Sequence, residues 1–196
     1  MGCCDAAFRP LLADLDLPAL NLHAGSIFGL WADLSLAYMN AAWFQFSAEN
    51  GGEPGVSRDW GPGANLIDAI SPAMSAFYLH GYGRCLRTGE VWSHEYECSS
   101  SDRYRRFLQI VYPLRGEAFL VVNSPTVNRL HERRPDDATL AEYLDADGTL
   151  HRCAHCGRVY ANRPHDWHWA PAWATLPEKQ VTVVVCEICL EKYYAR

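Results

Sequence analysis

Two Cys-x-x-Cys pairs, Cys153-Ala154-His155-Cys156 and Cys186-Glu187-Ile188-Cys189, are the residues of this chain best suited to chemistry. Thiolates are soft donors, and zinc takes four of them in a tetrahedron. Two intervening residues let one tight turn aim both sulfurs of a pair at a single ion. Gly157 follows the first pair, where a positive φ is often needed. The pattern predicts zinc held by Cys153, Cys156, Cys186 and Cys189. Four thiolates leave no position for the water that a catalytic zinc needs, so the expected role is structural. The pairs are further apart than in the commonest paired-CxxC template, which spaces them by about 15–20 residues. The insertion carries Trp167, Trp169 and Trp173 as candidate apolar cover. A disulfide pair, a redox CxxC and an iron site of rubredoxin type are the alternatives. The redox motif normally sits in a βαβ pattern, which this region lacks. His155, His165 and His168 are competing donors, the last two expected in a surface loop.

Other reactive patterns are sparse. No nucleophile elbow, phosphate loop or His-Glu metal motif is readable, so no enzyme is expected. Glu95 and Glu97 alternate with Trp92, His94, Tyr96 and Cys98, which places the acids on the solvent face of a strand. Cys85 and Cys98 fall on expected inward faces, where thiols are usually inert. Asp145-Ala146-Asp147-Gly148 resembles the start of a calcium loop, but the closing Glu is missing and a hairpin turn fits better. Met1-Gly2-Cys3-Cys4 lacks the Ser or Thr at position 6 that an acylation signal requires.

The elements that must position these residues follow from periodicity. Residues 5–16 read as an N-terminal helix ended by Pro18, with Phe8, Leu11, Leu12 and Leu15 on one face. That stripe must pack on its own domain or on a second copy. Ser26 to Tyr38 reads as two short strands, and Asn40 caps a helix carrying Trp43, Phe44 and Phe46. A glycine-rich loop follows, then a helix opened by Ser71-Pro72 and ended at Thr88-Gly89. Three strands come next: Val91 to Cys98; Tyr104 to Leu114, with Leu108, Ile110 and Tyr112 inward and Gln109 outward; and Phe119 to Val122. Residues 127–142 read as a linker. Strands on both sides of a run of helices predict an α+β fold, an antiparallel sheet with helices on one face, plus a small metal-stapled domain.

Composition is that of a globular protein: 49% hydrophobic, 20% charged, net charge -6. The acidic balance argues against nucleic acid as the main partner. No apolar run is long enough to span a bilayer and no export signal is readable, so the expected location is the cytoplasm, where thiols stay reduced.

Residues 21–126 resemble a PAS domain. "SIFGLWADLSLAYMNAAW" resembles its first two strands and following helix, "ANLIDAISPAMSAFYLHGYGRCLRTGEVWSHEYEC" its inner helices, long helix and next strand, and "RRFLQIVYPLRGEAFLVVN" its final hairpin. Residues 143–196, through "CAHCGRV", "WHWAPA" and "VCEICLEKYY", resemble a zinc ribbon appended to some bacterial PAS signalling proteins. The resemblance implies a bacterial sensory or regulatory protein that acts through protein contacts, with a histidine kinase or other regulator as partner, or as a homodimer. It also implies a pocket between sheet and helices, for which Tyr38, Trp43, Phe44, Tyr78, His94, Tyr96, Ile110 and Tyr112 are the candidate lining. A light-sensing flavin is not implied: Arg106-Phe107-Leu108-Gln109 occurs in a strand and lacks the reactive Cys. Haem is a minor alternative, because His80 lies on the outer side of the long helix and His94 lies on a strand. Nucleic-acid binding through Arg152, Arg158, Arg163 and Arg196 is the other.

Overall fold

The computed structural model describes residues 2–100, 102–130, 140–162, 165–170 and 181–194. Its contacts divide the chain into two compact units. One comprises residues 1–70, 78–95 and 108–125; the other comprises 71–77, 96–107 and 126–196.

The first unit is built on strands β1 (Cys3–Cys4), β2 (Ser26–Trp31), β3 (Leu36–Met39), β4 (Trp92–Glu97), β5 (Arg103–Leu114) and β6 (Ala118–Leu130), in sheet order β1-β3-β2-β6-β5-β4. The far ends of β4, β5 and β6 belong to the second unit. Helices α1 (Leu17–Leu22), α2 (Ala41–Glu49), α3 (Gly55–Asp59) and α4 (Pro72–Thr88) complete the set. Two strands, a run of helices and a three-strand meander appear in the order that the PAS resemblance implies. The fold is α+β with an antiparallel sheet.

One sheet face buries Phe28, Leu30, Leu36, Met39, Val111, Phe119 and Val121 against Tyr82 and Cys85 of α4, with Trp43, Phe44 and Tyr78 packed at the margin. Trp92 lies edge-on to Tyr82, ring centroids 5.4 Å apart, and stacks on His94 at 4.7 Å. The indole comes so close to α4 that a Cβ at Gly81 would sit 2.2 Å from it.

The other face is covered by the N-terminal segment. Instead of one helix over 5–16, a 3-10 turn spans Arg9–Leu12 and α1 follows it. Pro18 opens α1 rather than ending a helix before it, because the first turn has no need of the missing N–H. Asp16 caps α1, its carboxylate accepting the Ala19 N–H at 3.0 Å. Phe8, Leu11 and Leu12 are buried against Ile27, Tyr38, Ala118 and Leu120, so these three residues of the stripe pack on the chain's own sheet, whereas Leu15 is 39% exposed.

Asn40 knots the start of this unit together. Its Oδ1 accepts the backbone N–H of Trp43 at 3.1 Å, capping α2, and that of Ile27 at 3.0 Å. Its Nδ2 donates to the carbonyls of Gly25 at 2.9 Å and Leu20 at 3.2 Å.

In the second unit, β7 (His151–Cys153), β8 (Val159–Asn162), β9 (His165–His168) and β10 (Thr182–Val184) form a sheet in the order β10-β7-β8-β9, and α5 (Glu187–Tyr194) follows. β10 runs parallel to β7; the other pairs are antiparallel. Tyr143, Leu150, Val159, Ala161 and Ala170 make its small core. Asp145 to Thr149 is a tight turn before β7, with the Asp145 carboxylate accepting the Asp147 and Thr149 N–H groups and facing His151 Nε2 at 2.7 Å. Those oxygens are therefore engaged locally, as a hairpin turn requires. Residues 127–130 of the expected linker continue β6, and 131–139 lie outside the described residues.

Candidate metal centre

The first cysteine pair spans the turn from β7 to β8. Cys153 ends β7, Gly157 takes φ 72°, and the Cys153 N–H donates to the Arg158 carbonyl at 2.8 Å. Only glycine suits this turn: the φ is left-handed, and a Cβ there would also stand 3.0 Å from the Trp169 ring. The second pair straddles the start of α5. Cys186 precedes the helix and accepts the Leu190 N–H through its carbonyl, and Cys189 lies in the first turn. The positive end of a helix dipole thus sits by these sulfurs.

All four cysteines are brought together. They are buried, and their sulfurs lie within 4.8 Å of one another. The Cys156 and Cys186 sulfurs are 3.8 Å apart. A tetrahedron with metal–sulfur bonds of about 2.3 Å has edges of about 3.8 Å, whereas a disulfide would need about 2.05 Å. The residues present therefore fit a tetrahedral metal ion. Backbone N–H groups of His155 and Cys186 each point at Cys153 Sγ, at 3.4 Å. Hydrogen bonding with Cys156, Cys186 and Cys189 holds the Cys153 thiol far below the ordinary thiol range, and Cys153, Cys156 and Cys186 push Cys189 far above it. Four sulfurs this close cannot all ionise without a cation among them.

Among the described residues no histidine joins the set. The His155 ring stacks on Tyr193, centroids 4.1 Å apart, and burial pushes its pKa down to about 4. His165 Nδ1 is 3.1 Å from Tyr160 Oη, and His168 lies 3.8 Å from Asp166. Trp167 covers the sulfurs, its Nε1 donating to Glu187. Trp173, Arg163 and Arg196 lie outside the described residues.

Sequence reasoning missed an ion pair in the second unit. Glu97 is not a solvent-face acid: it receives a two-pronged ion pair from Arg158, at 3.0 and 3.2 Å, with the two side chains only 15% and 21% exposed. No motif announces such a pairing, because Glu97 and Arg158 are remote in the chain. Cys98, expected inward, is exposed just beyond β4.

The eight residues read as pocket lining do not share one space. Trp43, Phe44 and Tyr78 pack on the helix side of the sheet, and His94 sits beside Tyr78 at 3.4 Å. Tyr96 stacks on Phe107 in the second unit. Tyr38 is on the opposite face, its hydroxyl donating to Asn21 Oδ1, because a register shift between β2 and β3 at Gly29/Leu30 breaks the alternation that would keep it level with Leu36. Ile110 and Tyr112 are reversed as well. Gln109 and Val111 are the buried residues of that stretch of β5, and Tyr112 is 39% exposed. Gln109 turns inward because its Nε2 donates to Asn123 Oδ1 at 3.1 Å. The first unit does hold a cleft of about 420 Å³, lined by Asp33, Asn65, Asp68, Tyr82 and Leu86 among others; none of the eight residues lines it. His80 is exposed, as its place on α4 implied, and His94 is committed to Tyr78 and Trp92.

No described helix is long and apolar enough to cross a membrane. No family profile and no curated protein matches the chain. Among solved structures it is similar to the PAS domain of the quorum-sensing receptor RpfR from Cronobacter turicensis in complex with C12:0. The identity is 18%, with 54% of this chain and 96% of that one covered, and the TM-score is 0.39. It is also similar to a domain of an HTR-like protein from Haloarcula marismortui, at 13% identity over 54% and 100% of the two chains, TM-score 0.34. A PAS domain of an HTR-like protein from the same organism gives 15% identity over 61% and 90%, TM-score 0.35. Strand order, rather than these likenesses, carries the fold assignment: an α+β sheet of PAS-like element order, in a chain that also holds four close cysteines able to bind a metal ion.

Proposed function

We propose that this chain is a bacterial intracellular regulatory protein: a PAS-like sensory domain joined to a zinc ribbon whose Cys4 site is structural. It works without catalysis of its own, through contacts with a signalling protein or a second copy. The observation that carries the reading is the closed set of four buried sulfurs with tetrahedral spacing. Zinc suits a four-thiolate tetrahedron, and such a site supplies folding energy rather than a reactive water. The core of the second unit is small, and a domain of that size needs a staple. Nucleic-acid binding is the weaker reading, since Arg158 is tied to Glu97 and the chain is acidic.

Metal analysis with an absorption spectrum of the purified protein tests this. One zinc per chain and a blank visible region are expected; a band near 400 nm would bring back haem, and iron would replace zinc. Cys153→Ser should lose the ion and melt the second unit. A zinc-loaded, folded Cys153→Ser protein would remove the ligand assignment.

A further inference from the structure

We propose that the cleft of about 420 Å³ in the first unit binds a small organic ammonium ion: its apolar floor takes the hydrocarbon body, and the exposed Asp33 and Asp68 take the cation. This goes beyond the regulatory reading above, needs no part of the metal centre and concerns the first unit alone.

Two turns meet at the cleft. One, between β2 and β3, carries Asp33 and Leu34; the other, a 3-10 turn over Leu66–Ala69, carries Ile67 and Asp68. Asn65 locks them together. Its Nδ2 donates to the Asp33 carbonyl and its Oδ1 accepts the Ile67 N–H, both at 2.9 Å. The Leu66 N–H adds a bond to the Leu34 carbonyl, also at 2.9 Å. Both carboxylates are therefore presented from one fixed frame. Leu34 is held at φ 67°, a backbone that bulky residues avoid, and is 4% exposed while Asp33 beside it stays in water. Leu86 and Phe119 extend the apolar lining, and Leu79 of α4 contributes a side chain that is 51% exposed.

A cleft of this volume falls in the range of small-ligand sites, about 300–1,000 Å³, and a mainly apolar lining with a few polar groups is their usual make-up. Charge selects the class of ligand. Asp33 and Asp68 are the charged residues of the lining, and no described cation pairs with either. Asp33 Oδ1 accepts the Ser35 hydroxyl at 2.6 Å and the Ser35 N–H at 3.0 Å, and these bonds hold its carboxyl below the ordinary value, in the ionised form. Arg87 borders the α4 side, with Nη1 3.1 Å from the place of a Cβ at Gly83, but it does not line the cleft. An anionic ligand would meet two carboxylates. An ammonium ion on a hydrocarbon body answers both halves of the site and covers Leu79.

The test titrates the isotope-labelled full chain with hexylammonium and follows amide and methyl resonances. Saturable shifts centred on Leu34, Ile67, Leu79 and Leu86 are expected. Each methylene added to the amine, up to octylammonium, should tighten binding by as much as about 4-fold. Asp68→Asn should weaken it by up to about 5-fold, the worth of one exposed ion pair, and Asp33→Asn likewise. Leu86→Trp fills the floor and should abolish binding. Methylammonium, the cation without the body, and hexanoate, the body with the opposite charge, should each bind at least about 10-fold more weakly than hexylammonium. No saturation at millimolar hexylammonium, shifts centred away from the cleft, or hexanoate bound as tightly as hexylammonium would overturn the proposal. Equal binding of methylammonium would overturn it too, since only attraction to an acidic chain would remain. If Asp33→Asn or Leu86→Trp does not fold, Asp68→Asn and the three ligands on the wild-type chain decide. Zinc content is measured on the same sample. A zinc-loaded chain that ignores the amine refutes this site alone, whereas a chain that binds the amine and takes up no metal refutes the metal reading alone.

Discussion

Replacing Gly81 by Ala should destabilise the first unit, although alanine is the better helix former. The new Cβ would stand 2.2, 2.3 and 2.4 Å from three atoms of the Trp92 indole. To reach an ordinary contact of about 3.4 Å the ring must retreat by about 1.2 Å. It has nowhere free to go, being stacked on His94 at 4.7 Å and edge-on to Tyr82 at 5.4 Å. Overpacking of this kind costs about 1–3 kcal/mol, and disturbed ring pairs add about 0.5–1.5 kcal/mol each. Against this stands a gain of about 1 kcal/mol in helix propensity. The net is a loss of about 1–5 kcal/mol. Gly83, on the same helix, is the control. Its Cβ would meet only the tip of the Arg87 side chain, at 3.1 Å, so Gly83→Ala should be neutral or stabilising by up to about 1 kcal/mol. Urea unfolding followed by tryptophan fluorescence measures both. Equal behaviour of the two variants would refute the close approach of Trp92 to α4.

Three further outcomes follow from the polar groups. Asn40→Ala removes the α2 cap and strands the buried Ile27 N–H, and should cost about 2–4 kcal/mol in urea unfolding. Asn123→Ala should cost about 1–3 kcal/mol by leaving the inward Gln109 amide without its acceptor. The paired change Gln109→Leu with Asn123→Val should recover most of that loss; a neutral Asn123→Ala would mean that Gln109 points to solvent. The hydrogen bond from His151, followed by that from the Thr149 N–H, holds the Asp145 carboxyl below its ordinary value of 3.8. Its contribution to the turn is thus present above that value and lost as pH falls through the lower folded pKa. Carboxyl resonances followed by NMR should place the Asp145 midpoint below 3.8, and a midpoint above it would contradict the turn geometry.

The order of strands and helices was legible in the chain because periodicity reports which elements exist. It does not report the two places where a local event reverses a face. Scored by polarity, β5 puts Leu108, Ile110 and Tyr112 inside and Gln109 outside. The fold does the opposite, because Gln109 and Asn123 satisfy each other across neighbouring strands and Val111 fills the core. A side-chain period of two leaves no intermediate solution, so one misjudged polar residue inverts a whole strand. Tyr38 was misplaced by an irregular register that only the pairing of β2 with β3 creates. Pro18 had two readings, stop or start, and Asp16 decides it by capping the helix that Pro18 opens.

The cysteine set was readable for the opposite reason. A thiolate tetrahedron demands four residues of one type, paired at a fixed spacing, so the chemistry leaves its signature in the chain before any fold is known. The ion pair between Glu97 and Arg158 leaves none. Glu97 and Arg158 are ordinary charged residues, one read as a solvent-face acid and the other as a candidate nucleic-acid contact. Only folding makes them partners, and their low exposure is what gives the pairing weight. A surface pair would be worth at most about 1 kcal/mol, whereas breaking a desolvated one strands a charge at a cost of several. The sulfurs can be named from spacing alone, whereas the pairing of Glu97 with Arg158 exists only in three dimensions.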